Sequence, residues 1–373
     1  METQKKKILI ITTSTSVFGA ETNMLNIIKN LYTSSKYVLH LVISGWSDGL
    51  FENKLIEFGI KDYTKIKLGW IYKSKILWTL DSFFNYIPAY IKYLRLQKSF
   101  KPDIIFINSY RHLFLLYPFI KTPVILRVQD QLSPDKQGKY ILKKTSLKVL
   151  KYYVVSNFIK NDLLKLGIEE NKIEVIYNGL EIPSPINQNK FSSQKIRIGI
   201  VGQVNPRKGH HILIKALNIL KKDGYNFSLK IFGTGSEEYI KELKQTITEY
   251  KLDEDVEWKG YFSDKDKIYG EIDLSACPAI LPESFGLTAI EPAIYKIPVI
   301  TSDIGAFPEI IKEGINGFMF KNEDYLDLYK RLKYFFDNKS ELVRIGNTGY
   351  EYVNTNFNLE KMIDKIKEMI ESI

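Results

Sequence analysis

Short apolar runs alternate with helix-spaced segments along the whole chain. Ile8–Thr12, Val38–Ser44, Ile104–Asn108, Val124–Val128, Tyr152–Ser156 and Ile173–Asn178 read as buried strands. Between them, Glu21–Tyr32, Ile87–Lys98 and Phe158–Leu166 place apolar residues three and four apart, which is the spacing of one helix face. Gly179–Gln194, with Pro183, Pro185 and many polar residues, reads as a linker. The alternation restarts with Ile196–Val201, Phe227–Phe232, Val256–Trp258, Leu274–Pro278 and Pro298–Thr301. Strands that alternate with helices make parallel sheets covered on both faces. The expected fold class is therefore α/β, with two doubly wound, Rossmann-like parallel-sheet domains at residues 1–185 and 186–355. A terminal helix at 356–373 is expected to return to the first domain. Ligands of such sheets bind beyond the carboxyl ends of the strands, so an active site is expected in a cleft between the domains.

Composition narrows the class. A chain of 373 residues, 45% hydrophobic and 26% charged, has material for two soluble cores. Its longest uncharged run, Ile8–Ala20, has 13 residues, short of the ~18–20 apolar residues of a spanning helix. Lys5, Lys6 and Lys7 precede only four apolar residues, which fits a first buried strand better than a signal peptide. The single cysteine, Cys277, cannot form an internal disulfide, and a cytoplasmic location is expected.

The net charge of +10 is unevenly spread. Residues 1–190 carry 28 Lys/Arg against 15 Asp/Glu, or +13, and the remainder carries 25 against 28, or −3. A basic first half points to an anionic lipid surface, a phosphate-bearing acceptor or nucleic acid, with a Lys-rich composition as the plain alternative. No nucleic-acid-binding module accompanies the charge, so nucleic acid is set aside. Trp70–Leu96 adds a dense aromatic segment flanked by Lys73, Lys75, Lys92 and Arg95. Two readings stand for it: a helix lying at a membrane interface, or a helix pair covering the first sheet. Pro88 is expected to break or kink it. Lys139, Lys143, Lys144, Lys148 and Lys151 form a second basic stretch, expected on one helix over Lys136–Lys151.

The chemistry-bearing residues gather in the second half. Ile196–Val201 ends in Gly202-Gln203-Val204-Asn205-Pro206-Arg207-Lys208-Gly209, and a helix from about His210 to Lys221 follows. A glycine after a strand, then cations at a helix start, suits a phosphate. An exposed basic helix cap is the alternative. The run Glu283-Ser284-Phe285-Gly286-Leu287-Thr288-Ala289-Ile290-Glu291 is more pointed. With a helix beginning near Ser284, the amides of Phe285, Gly286 and Leu287 would open a second anion-facing terminus, and Glu291 would lie about two turns further on. Each carboxylate, Glu283 and Glu291, could accept from a pair of neighbouring hydroxyls. Glu291 could instead pair within the fold. The four histidines show no metal-ligand spacing, and no metal site is expected.

These motifs resemble the family-4 retaining glycosyltransferases of GT-B fold. The resemblance rests on the Glu-x7-Glu run with its internal Phe-Gly and on the glycine–Lys-Gly loop some 75 residues earlier. It extends through Val17-Phe18-Gly19-Ala20-Glu21, Lys101-Pro102-Asp103, Val155-Ser156-Asn157, Tyr177-Asn178-Gly179, Phe232-Gly233-Thr234-Gly235, Gly260-Tyr261-Phe262 and Gly305-Ala306-Phe307-Pro308-Glu309. It implies an enzyme that moves a hexose or N-acetylhexosamine from a nucleotide diphosphate sugar, UDP- rather than GDP-linked, to a saccharide or lipid-linked acceptor of bacterial surface polysaccharide. It implies no cofactor and no metal. Lys208, with Arg207, would neutralise the diphosphate. Glu283 and the 285–287 amides would hold the sugar and its phosphate, and Glu291 the ribose. Gly202, Gln203, Gly233 and Tyr261 would border the nucleotide, and Gly19 would approach the phosphate. Glu21 and Gln129 would stand on the acceptor side. An anionic membrane surface at the inner face of the cell membrane completes the expected partners. Gln203 stands where many members have Arg, and Gln129 where many have His. A sugar-nucleotide 2-epimerase and a catalytically silent nucleotide-sugar-binding subunit are the competing readings.

Overall fold

The computed structural model describes residues 5–12, 19–69, 76–131, 136–182 and 195–373. Val17, Phe18, Trp70, Lys73, Lys75, the linker prolines and the expected boundary at residue 185 lie outside them, as does the Trp78 side chain. The chain divides into two compact units, Met1–Gly179 with Met362–Ile373, and Leu180–Lys361.

The first unit is a seven-stranded parallel sheet of β1 (Lys6–Ile11), β2 (Tyr37–Ser44), β3 (Tyr63–Ile66), β4 (Ile104–Ile107), β5 (Val124–Val128), β6 (Val149–Val154) and β7 (Ile173–Val175). Its order is β3-β2-β1-β4-β5-β6-β7. The strands are linked by α1 (Gly19–Tyr32), α2 (Leu50–Glu57), α3 (Ile76–Phe100), α4 (Tyr110–Leu116), α5 (Lys136–Thr145) and α6 (Asn157–Lys165). β4 is Ile-Ile-Phe-Ile and wholly buried, as a strand covered on both faces must be. β3, a sheet edge, is only partly buried and carries Thr and Lys, so its apolar signal is too weak to read from sequence.

The second unit is a six-stranded sheet of β8 (Ile196–Val201), β9 (Phe227–Phe232), β10 (Val256–Gly260), β11 (Leu274–Cys277), β12 (Val299–Ser302) and β13 (Gly317–Phe320). Its order is β10-β9-β8-β11-β12-β13, and every pairing is parallel. The helices are α7 (His210–Lys222), α8 (Glu237–Glu249), α9 (Lys265–Tyr269), α10 (Leu287–Ile294), α11 (Phe307–Ile310), α12 (Tyr325–Asp337), α13 (Ser340–Asn356) and α14 (Leu359–Glu371). Most of α14 belongs to the first unit. Lys6 Nζ donates to Ile370 O over 2.9 Å, and Lys36 pairs with Glu371 at 2.7 Å. Each unit is thus a Rossmann-like α/β domain. In each, the strand order reverses beside the first strand, at β1/β4 and at β8/β11.

Three local expectations need correction. Of the two outcomes expected at Pro88, a break or a kink, the break is excluded, because α3 runs through it from Ile76 to Phe100. Pro88 lies on an exposed turn, where water reaches the carbonyl that has lost its partner. The basic stretch after Lys136 is not one helix: α5 stops at Thr145, Lys148 lies in a 3₁₀ turn and Lys151 on β6. Finally, α10 begins at Leu287 rather than near Ser284, so Glu291 stands about one turn into the helix instead of two.

Candidate active site

The switch point of the second sheet gathers the chemistry. β8 ends at Val201 and leads into the Gly202–Lys208 loop, and its neighbour β11 ends at Cys277 and leads into the loop that carries Glu283. Gly209 joins these two loops. Its φ is 72°, and a Cβ there would overlap the carbonyl oxygen of Pro278, so only glycine fits. The Ile280 amide donates to Arg207 O over 2.9 Å, fixing the 3₁₀ turn Pro206–Lys208 against the β11 loop.

From that turn Lys208 Nζ donates to Glu283 Oε1 over 2.9 Å, and Arg207 lies 3.5 Å from the same oxygen. The Glu283 side chain is 13% exposed, against 50% for Arg207. Behind it, Gly305 has φ 61°, and a Cβ there would stand 2.5 Å from Glu283 N. The Ala306 amide donates to Glu283 O over 2.9 Å. Glu283 is therefore fixed through its backbone on one side and through its carboxylate on the cation side.

Gly286 caps α10, and on that helix Glu291 is 7% exposed. Lys265 donates to its Oε1 over 2.6 Å and Tyr269 to its Oε2 over 3.0 Å. Burial, reinforced by Glu291, raises the Tyr269 phenol well above its usual range, so it stays a donor. Tyr269 also stacks on Tyr295, with ring centroids 4.8 Å apart. Lys265 and Tyr269 were not among the sequence candidates. They lie 26 and 22 residues before Glu291, and no motif spacing ties them to it. Beneath the loops, burial pushes the Cys277 thiol up to about 11 and holds His210 near 4, so both are neutral at pH 7.

The remaining candidates border this constellation or stand apart from it. The Gly202 amide donates to Phe232 O and the Gly233 amide to Gly260 O, bringing the β8, β9 and β10 loops together. Gln203 accepts from Asn205 over 3.3 Å, and Tyr261 is 63% exposed. Phe285 turns its ring inward onto Phe357, with centroids 6.0 Å apart, leaving its backbone to the loop. Gly19, Glu21 and Gln129 belong to the first unit. Gly19 and Glu21 lie in the first turn of α1, and Gln129 follows β5 with its Oε1 buried and unpartnered. Among the described residues, no three His, Cys, Asp or Glu side chains stand where they could hold a metal ion.

Two sequence models account for most of the chain. The one described as Glycosyltransferase Family 4 matches residues 19–182, and the one described as Glycosyl transferases group 1 matches residues 182–352. The chain belongs to this glycosyltransferase family. An uncharacterized 41.2 kDa protein in the cps region of Klebsiella pneumoniae is 26% identical over 222 residues, covering 55% of this chain and 57% of that protein. The match therefore spans under two thirds of that relative. The capsular polysaccharide biosynthesis glycosyltransferase CapM of Staphylococcus aureus is 24% identical over 303 residues, 80% of this chain and 74% of CapM. In fold, the chain is similar to Anabaena HepE in complex with UDP, with TM-score 0.82 and 22% identity over 98% of this chain and 100% of that one.

For this glycosyltransferase the loop contacts make a stability prediction. Gly209→Ala combines a left-handed φ with a clash against Pro278 O, and is expected to cost about 3 kcal/mol or more. A unit of this size would lose roughly 6–12 °C in Tm, and calorimetric unfolding checks it. An unchanged Tm would show that the two loops do not meet there.

Proposed function

We propose that the chain is a retaining glycosyltransferase. It moves a hexose or N-acetylhexosamine from a UDP-sugar to a saccharide or lipid-linked acceptor in bacterial cell-surface polysaccharide synthesis. It uses no metal ion and works against the anionic inner face of the cell membrane. The observation that carries this reading is the convergence of Lys208 and Arg207 on Glu283 at the β8/β11 switch point, one loop before the helix that presents Glu291.

In this reading Lys208 and Arg207 share their charge between Glu283 and the donor diphosphate. The amides opening α10 add a second positive end. Glu283 accepts hydrogen bonds from the sugar. Glu291, oriented by Lys265 and Tyr269, keeps a further lone pair on each oxygen for the ribose hydroxyls. As the bond from C1 to the diphosphate oxygen breaks, the negative charge that develops meets cations already in place. The acceptor oxygen bonds to C1 on the face the diphosphate leaves, and its proton passes to the departing phosphate, which retains the configuration. HepE, crystallised with UDP and with UDP-glucose, supports the choice of base. CapM supports the choice of pathway.

A thermal-shift screen of nucleotide sugars tests the donor. A bound donor at 100 times its Kd stabilises the protein by about 2.7 kcal/mol, and UDP-sugars are expected to exceed GDP-sugars. NMR of the product anomeric proton tests retention, and an inverted product would refute it. EDTA is expected to leave the rate unchanged. Loss of activity on chelation, restored by a divalent cation, would refute the metal-free assignment.

A further inference from the structure

Helix α3 is amphipathic in an unusual sense: the side turned away from its domain is apolar. Ser82, Ala89 and Tyr93 are buried, at 4%, 4% and 0% exposure, and define the inward face at seven- and four-residue spacing. On the opposite side Leu80, Phe83, Phe84, Ile87, Ile91 and Leu94 are exposed, with Phe83, Phe84 and Ile87 between 71% and 74%. The stripe is about 21 Å long at 1.5 Å per residue. The helix is pinned from behind. Tyr90 donates to Leu115 O over 2.8 Å and packs on Phe119 with centroids 4.7 Å apart, and Lys92 donates to Lys65 O over 2.7 Å. The outward face is thus a fixed feature of the fold, and α3 is not a candidate membrane span.

We propose that this face of α3 is a membrane-insertion element, seated at the headgroup–acyl boundary of an anionic bilayer. The proposal rests on the reading that the enzyme works against a membrane, and it names the contact. Charge selects the occupant. Right-handed crossovers from β3 through β6 place α3, α4 and α5 on one face of the sheet. Helices α3, α4 and α5 themselves carry eight Lys/Arg against one Asp. The sole acid on α3, Asp81, is engaged by Trp46, Lys67 and Asn85. Two copies meeting on this face would bring like charges together, whereas an anionic leaflet neutralises them while it buries the apolar stripe. Lys148 is not part of the lipid contact, because its ammonium donates to Tyr117 O and Ile120 O at 2.5 and 2.6 Å. Arg95 and Lys98, both exposed on α3, are among the cations left for it.

The test is co-sedimentation of the full chain with phosphatidylcholine vesicles, with and without phosphatidylglycerol. The triple variant Phe83→Ser, Phe84→Ser, Ile87→Ser is compared with Arg95→Glu, Lys98→Glu. Wild type is expected to bind only the anionic vesicles. Each variant should lower the partition coefficient at least about tenfold, with Tm unchanged because the replaced side chains are exposed. A nitroxide on Phe84→Cys should report a depth below the phosphates, and one on Asn85→Cys a shallower one. Cys277 is buried and stays unlabelled. If the serine variant binds like wild type, or the Phe84→Cys label stays in water, α3 is not the insertion element, although membrane association would stand. If wild type binds no vesicle, the membrane reading falls with it. A dimer in solution that the serine substitutions dissociate would make the occupant a second copy and overturn the proposal.

Discussion

Lys208→Ala is expected to lower turnover by about 10²-fold or more, the scale of losing one preorganised donor to a developing charge. The reason lies in where the ammonium sits. It is 25% exposed and 2.9 Å from Glu283, so it is partly shielded from water and already aimed. Arg207, 3.5 Å from the same carboxylate and half exposed, is a longer and wetter substitute. Removing Lys208 strips one charge from the diphosphate site and leaves the nearly buried Glu283 with only that weaker partner. Both effects act on the step in which charge develops, so kcat should fall more than donor affinity. The rate of UDP release at saturating donor measures it. Turnover within a few-fold of wild type would remove Lys208 from the chemistry.

Glu283 and Glu291 are expected to separate kinetically. Glu283→Ala should lower kcat with a small change in donor Kd, because its contacts lie at the transferred sugar. Glu291→Gln should weaken donor binding by roughly 10- to 100-fold, the worth of one or two hydrogen bonds to a charged acceptor. Glutamine is the informative replacement at 291. Alanine would also remove the acceptor that the buried Tyr269 hydroxyl meets at 3.0 Å, and would mix stability into the reading. Calorimetric donor titration with steady-state rates for each variant checks the split. Equal effects on Kd and kcat at both positions would mean that the two carboxylates do not divide ribose from sugar.

The parts of the fold legible in sequence are those whose physics is local. β1, β4 and β8 are short apolar runs because both faces of each sheet are covered. Gly202, Lys208 and Glu283 stood out because a strand end followed by glycine and charge is unusual in a core. β3 was missed because an edge strand keeps polar and half-buried positions, and β13 because it is only four residues long, opens on a glycine and has a half-buried middle. Continuation of α3 through Pro88 depends on solvent around one turn, which no residue pattern records. The pairing of Lys265 and Tyr269 with Glu291 depends on α9 packing beside α10, a contact between segments more than twenty residues apart. The aromatic segment carried two readings, and the structure divides it by face: Tyr93 is core, while Phe83 and Phe84 are bare.

The central claim is that a nucleotide diphosphate sugar binds at the β8/β11 switch point of the second unit. Hydrogen exchange of the full chain, with and without saturating UDP-sugar, tests it most directly. The account predicts slowed exchange at residues 202–209 and 283–291, with smaller protection at 233–235 and 261–265, and loss of these changes in a Lys208→Ala, Glu291→Gln double variant. Donor binding that leaves exchange at 202–209 and 283–291 unaltered would contradict it.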